Sequence, residues 1–362
     1  MRHSPKSNWF SAATALLAIA VIPAGAADRV PAGLVLESKD PSPNRFGISY
    51  RMGFNISADF KNIGFTSKPL AAPGVHGVSR IYDDGYNRVD STGNGADLTT
   101  YWGYQNAGQI SGGNTVLTLN KIKSSSLATS RGVEDDPQHG FELNYSRHLG
   151  DVGRCHWGIE AALGYTRIEI RDSRPFDGGA TQIADDYDIT GLAFFGGPPP
   201  APYSGPFAGN ASTTPVIPDS PFNRTTTSYN DGRITGQRQL DANLVGLRFG
   251  PYLEIPCATN LSVSLSGGLV VAWLGGDFRF KETVDLGPGG VFTSSGSSTK
   301  HSALVGGYAG ANLNYDFSKR WSAFVGAQYQ YLGDYTQKAG AKEVRLDLGK
   351  SVFVSIGAGY SF

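Results

Sequence analysis

Between Phe46 and Phe60 every even-numbered position is apolar (Phe46, Ile48, Tyr50, Met52, Phe54, Ile56, Ala58, Phe60), and every odd one is glycine or polar. Successive side chains of a strand point to opposite faces, so this spacing predicts one strand with a wholly apolar face. At ~3.3 Å per residue the segment rises roughly 50 Å, well beyond the ~10 residues that a tilted strand needs to cross a bilayer.

The same alternation recurs at Phe141–Ser146, Trp157–Thr166, Val245–Phe249, Leu261–Trp273, Val305–Tyr315 and Trp321–Tyr331. In the last segment Val344, Leu346, Leu348, Val352, Val354, Ile356, Ala358, Tyr360 and Phe362 fall in one series, with Lys350 interrupting that series and Phe353 the polar one. The polar face is rich in Gly and Ser, most clearly at Ser262, Ser264, Ser266 and Gly268. A soluble barrel fills its interior with Val, Ile and Leu. A polar, Gly-rich face opposite an aromatic-tipped apolar face predicts the reverse, with lipid outside and a polar lumen inside.

Connector lengths set the expected topology. Gly150–Gly153, Pro256–Asn260 and Asp316–Arg320 read as tight turns, and 61–137, 171–237, 281–299 and 333–342 as long connectors. Short periplasmic turns alternating with long extracellular loops predict a closed antiparallel up-and-down transmembrane β-barrel of about eight strands, over 45–362. Val116–Asn120 leaves ten strands as the alternative; with eight, it belongs to an extracellular extension. Phe46, Tyr50, Trp157, Tyr315, Trp321, Tyr360 and Phe362 are expected in the periplasmic aromatic belt. Phe60, Tyr165, Trp273, Tyr329 and Tyr331 are expected in the outer one.

The amino terminus sets the compartment. Arg2 and Lys6 precede an apolar stretch, Trp9–Ile22, and Ala24-Gly25-Ala26 gives an A-x-A cleavage pattern. Residues 1–26 therefore read as a secretory signal peptide and 27–44 as a periplasmic tail. With 31 Lys+Arg and 31 Asp+Glu the chain carries no net charge, so nucleic acid is not an expected partner. Two cysteines exclude a disulfide-rich scaffold. The 48 Gly and 20 Pro without a collagen period fit a turn-rich β protein.

The terminal Gly359-Tyr360-Ser361-Phe362, with apolar residues at alternate positions back to Val352, resembles the insertion signal of outer-membrane barrels. That resemblance implies that Tyr360 and Phe362 are read by the barrel assembly machinery. Tyr82-Asp83-Asp84-Gly85-Tyr86, Trp102-Gly103-Tyr104, Pro202-Tyr203-Ser204-Gly205 and Leu265-Ser266-Gly267-Gly268-Leu269 are similar to an uncharacterised family of Gram-negative, small porin-like outer-membrane barrels. It covers most of the mature chain and implies cell outer membrane and fold, with outer-membrane lipid as partner. It brings no activity.

Candidate chemistry is sparse. Arg51, Glu142, Glu160 and Arg248 fall on inward faces at similar heights, so they are expected to form opposite-charge pairs across the lumen. The alternative is a selectivity constriction. Cys155 and Cys257 fall on adjacent strands at one rim, where a disulfide is expected, with two unpaired thiols as the alternative. His148 and His156 beside that turn lack a metal-ligand spacing and read as solvated turn residues, so no metal or cofactor is expected. Asp186, Asp188, Thr190 and Gly191 imitate the opening of an EF-hand loop, but Gly197 stands where a bidentate Glu is required. No G-x-S-x-G or H-E-x-x-H arrangement occurs, and no active site is assigned. The Pro/Gly/aromatic stretch 193–221 is a candidate for an extracellular ligand, with a shielding loop as the alternative, and Tyr101, Trp102 and Tyr104 are expected to pack on an aromatic girdle or on that other loop. Three functions follow. The first is a non-enzymatic barrel with a structural or surface-interaction role and a lumen mostly filled by polar side chains. The others are a porin-like channel or transporter for small solutes, and an outer-leaflet lipid enzyme.

Overall fold

The computed structural model describes residues 43–64, 70, 77–88, 97–123 and 127–362. The signal-peptide reading of 1–26 and nearly all of the 27–44 tail lie outside them. The described chain is antiparallel β structure with three short 3-10 turns. Eight strands each pair with two others and return to the first: β1 (Asn44–Phe54), β2 (Gln138–Val152), β3 (Cys155–Asp172), β4 (Asn223–Ala258), β5 (Leu261–Asp285), β6 (Val291–Asp316), β7 (Trp321–Tyr331) and β8 (Ser351–Ser361). Seven ladders run between chain neighbours, and β1 with β8 closes the ring, aligning Ile48 with Ala358. The Val116–Ile122 strand is not one of the eight. It pairs with Phe176–Asp188, which in turn pairs with the upper part of β4.

The lower half of the ring turns its apolar side chains outward. Ile48 is 56% exposed and Leu269 69%. Trp157, Leu163, Leu247, Phe249, Leu265, Trp273, Leu313, Trp321, Val325, Tyr329 and Tyr331 are also exposed. On β5 the outward run Leu261–Trp273 rises about 28 Å along the ring axis, at ~3.3 Å per residue and a tilt of roughly 45°. That matches the ~25 Å apolar band of membrane barrels.

Above this band the pattern inverts while the strands continue. On β3 the outward series passes from Leu163 and Tyr165 to Arg167, Glu169 and Arg171. The inward series passes from Gly164 and Thr166 to Ile168 and Ile170, both fully buried. On β4 the outward series changes from Val245 to Asn243 and Asp241, and the inward one from Gly246 to Leu244, Ala242 and Leu240. On β5 Asp277 and Arg279 succeed Trp273 outside, over Leu274 and Phe278 inside. The lower storey is inside-out, as lipid requires. The upper storey is right-side-out, as water requires.

This corrects the expectation of one continuous apolar face over 46–60. β1 ends at Phe54, and Asn55 takes a left-handed backbone (φ 59°). Its Nδ2 donates to Lys350 O at 2.8 Å. The chain resumes as Ser57–Ile63 in a second sheet, ordered 334–339, 342–347, 57–63, 128–133. Asn and Asp tolerate this backbone better than other non-glycine residues. The turn flips the phase, so Ile56, Ala58 and Phe60 face inward, and Phe60, 1% exposed, is no member of an outer belt. Val344, Leu346 and Leu348 are likewise fully buried, whereas Ile356 is exposed, so that series is split as well.

Among the described residues, the segments expected as long loops contain much strand. Strands β5 and β6 extend to a turn at Leu286–Gly290, and Asp334–Ala339 pairs with Lys342–Asp347 as a hairpin. Side chains from these extensions and from β3–β6 make one dry core: Phe60, Ile168, Ile170, Leu240, Leu274, Phe278, Val284, Tyr335, Val344 and Leu346 among others. A smaller core lies beside it, around Trp102, Leu117, Leu119, Tyr187, Leu192 and Ile217. There the Pro-rich stretch folds back: Tyr203-Ser204 pairs with Gly103-Tyr104, and Trp102 donates Nε1 to Pro215 O at 3.0 Å.

Candidate functional site: a charge layer across the lumen

The four predicted inward charges meet. On β1, Arg51 donates Nη1 to Glu142 Oε2 at 3.0 Å. On β4, Arg248 donates Nη2 to Glu142 Oε1 at 2.7 Å and Nε to Oε2 at 3.2 Å, a bidentate pair. Its Nη1 also donates to Glu160. Sequence order pairs Arg51 with Glu142 and Arg248 with Glu160; the additional Arg248–Glu142 contact joins the pairs into one layer. All four residues are buried. Alternation along β1, β2, β3 and β4 aims each side chain inward. Gly164 on β3 leaves the space: a Cβ there would lie 2.5 Å from Arg51 Nη1.

Two aromatic residues complete the layer. Tyr308 on β6 donates its hydroxyl to Glu160 at 3.0 Å and lies under the Arg248 guanidinium, 4.9 Å from the ring centroid. Phe353 on β8 lies 3.7 Å from the Arg51 guanidinium carbon. Cations are attracted to such ring faces. The signal for Phe353 is the very break in alternation that singles it out in the sequence. Phe353 also belongs to the dry core, so the charge layer passes directly into apolar packing. Two cavities flank Glu142 and Arg248, each of about 10 Å³. That is the space of about one water.

A second ion cluster, absent from the sequence reading, sits above. Arg238 donates Nε to Glu282 at 2.7 Å and Nη1 to Asp172 at 3.0 Å, and Lys342 donates Nζ to Glu282 at 2.6 Å. All four residues are buried in the upper storey. Burial pushes the Asp172 carboxyl up, but hydrogen bonds from Arg174 and Ser130 more than offset it, leaving its pKa below the usual value. A depressed carboxyl pKa contributes stability that is present above the unfolded-state value of ~3.9 and is lost as pH falls through the folded-state value. Pepsin digestion stepped downward from about pH 4 is therefore expected to spare 128–131 and 172–178 at first and to cut there once the pH passes below the folded-state value. Cutting there already at about pH 4 would refute the assignment.

The remaining candidates are placed as follows. Cys155 and Cys257 are free thiols, so the expected disulfide is absent. The β3–β4 ladder stops at His156↔Glu254, and Cys257 lies in a bulge of the β4–β5 ladder, its Sγ on Ile255 O at 3.5 Å. The EF-hand imitation is occupied by protein donors: Thr118 and Asn223 bind Asp186, and Thr190 caps Asp188. Asp83 accepts from Lys121 and Asp84 from Asn120. His139 meets Tyr50 Oη at 2.5 Å, and His301 is exposed on β6. Tyr360 stacks on Phe362 and meets Trp321 edge-to-face.

A closed apolar-outside ring with a polar, charge-paired interior defines the class: an antiparallel β fold of the outer-membrane-barrel kind. No family model and no curated relative matches the chain. Among solved structures it is similar to Ail, the attachment invasion locus protein of Yersinia pestis, at 11% identity and TM-score 0.27, covering 89% of this chain and 99% of that one. It is also similar to the outer membrane protease OmpT of Escherichia coli, at 10% identity and TM-score 0.30, covering 90% and 100%. A FadL homologue of Pseudomonas aeruginosa follows at 8% and 0.18, covering 88% and 90%. Likeness at this level assigns neither activity nor ligand to this chain.

Proposed function

We propose that the chain is an eight-stranded barrel of the Gram-negative outer membrane with a closed lumen, serving a structural or surface-interaction role through its outer storey. The observation that carries this reading is the Arg51–Glu142–Arg248–Glu160 layer continued upward by the dry core. Eight-stranded barrels have interiors just wide enough for side chains to fill. The reading is non-enzymatic, with outer-membrane lipid around the lower storey and the barrel assembly machinery as partner during insertion. Its outward surface for a ligand is the Pro-rich fold-back, where exposed Phe207 meets Tyr101 edge-to-face, ring centroids 5.3 Å apart.

Planar-bilayer recording tests it. Purified protein is expected to insert without conductance steps; steady ohmic steps would overturn the closed lumen in favour of a porin-like channel. Lipid contact has its own test. Leu269→Arg, on the outward face of β5, is expected to cost about 2–4 kcal/mol in phospholipid vesicles, read by urea unfolding. A neutral outcome would place that face outside the bilayer.

A further inference from the structure

We propose that His148, Asp151 and His156, at the short-turn end of the β2–β3 hairpin, form a binding site for a divalent transition cation of the zinc type. Their candidate ligand atoms all lie within 4.8 Å of one another. His156 Nδ1 is 2.5 Å and His148 Nε2 is 3.4 Å from the same oxygen, Asp151 Oδ1. The two imidazole rings are 5.6 Å apart and nearly perpendicular.

The hairpin builds this arrangement by a specific device. Asp151 and His156 are direct cross-strand partners. His148 and Asp151 are three residues apart, so a regular strand would send them to opposite faces. The register shifts between His148 and Gly150, however. A bulge inserts one extra residue and re-aims the side chains that follow it. His148 thereby joins Asp151 and His156 on one side of the hairpin. The sequence spacing resembles no standard metal motif because the bulge, not the spacing, brings the groups together.

The donor set selects the ion. Zinc binds imidazole nitrogen and carboxylate oxygen at about 2.0–2.2 Å, which separates tetrahedral ligand atoms by about 3.4 Å. The His148–Asp151 distance already has that length. The His156–Asp151 hydrogen bond would be exchanged for metal bonds, the neutral imidazole then carrying its one ring proton on Nε2 and leaving Nδ1 free to bind the metal. Two imidazoles favour zinc, copper, nickel or cobalt over magnesium or calcium. Nδ1 of His148 has no hydrogen-bond partner among the described residues, so no other protein group there holds this ring through it. The Asp151 side chain is 55% exposed, which leaves the site open to water and to an entering ion. Three protein ligands with an open position complete four-coordination with water. Bound metal would clamp the rim of the hairpin where a disulfide is absent.

Equilibrium dialysis of untagged, detergent-folded protein against micromolar ZnCl2 tests this. One zinc per chain is expected, undisplaced by millimolar magnesium or calcium. His148→Ala with His156→Ala is expected to weaken binding by at least about tenfold, and Asp151→Asn to weaken it as well. His301→Ala is expected to bind as the parent does. Loading with Co²⁺ is expected to give the visible absorption of a four-coordinate ion. Every variant is first checked for folding by its heat-modifiable electrophoretic mobility. Absence of zinc from the folded parent, or undiminished binding by the folded double-histidine variant, would overturn the proposal.

Discussion

Arg248→Leu is expected to destabilise the ring by about 3–5 kcal/mol, because it strands buried carboxylates without their main counter-charge. Arg248 contacts both Glu142 and Glu160, whereas Arg51 reaches only Glu142. In the variant, among the described residues, Glu160 keeps only the Tyr308 hydroxyl. The companion Arg248→Leu/Glu160→Leu removes one charge of each sign and leaves the neutral Arg51–Glu142 pair. Replacing a whole buried pair with apolar side chains is often near neutral. The double variant is therefore expected to recover most of the loss. Urea midpoints in vesicles measure both. A single variant within about 1 kcal/mol of the parent would show that the layer is hydrated rather than sealed.

Phe60→Ala is expected to cost about 3–5 kcal/mol, the range for deleting a buried aromatic side chain. Phe60 packs against Phe278, with ring centroids 6.0 Å apart. The loss should fall on the upper storey, since Phe60 lies in the sheet above the ring. Proteases are then expected to cut within 128–133 and 334–347, while β1–β8 below the aromatic band stay resistant. An outward, lipid-facing Phe60 would make the same substitution nearly silent. That outcome would return the segment 46–60 to a single face.

The lower storey was legible because lipid imposes an unusual pattern. Period two with Ser and Gly opposite Leu and Trp has few other physical readings, and the pairing of Arg51 with Glu142 follows from strand order alone. The upper storey is hidden in the sequence because its alternation has the same period. Only the chemical sign of each face changes, at Tyr165–Ile168 on β3 and between Val245 and Leu244 on β4. Once 171–237 reads as a loop, Arg171 and Asp172 stop counting as strand residues and the reversal passes unnoticed. Asn55 carries no more than a hint, since a positive φ is not written in residue type. The Arg238 cluster depends on contacts with Glu282 and Asp172 made by three separate strands, and a bulge at one residue decides where His148 points. Such three-dimensional coincidences lie beyond spacing arguments. Trp102, by contrast, packs on the Pro-rich stretch, one of the two places expected for it.

The central claim is that one continuous strand passes from lipid to water and reverses its faces as it does so. A nitroxide scan of outward positions on β5, in a cysteine-free background in vesicles, tests it most directly. Labels at positions 263, 265, 269 and 271 are expected to collide with dissolved oxygen and to be shielded from a water-soluble nickel complex. Labels at 277, 279 and 281 are expected to show the opposite, with the crossover just above Trp273. A profile without that crossover, or nickel access throughout, would contradict the account.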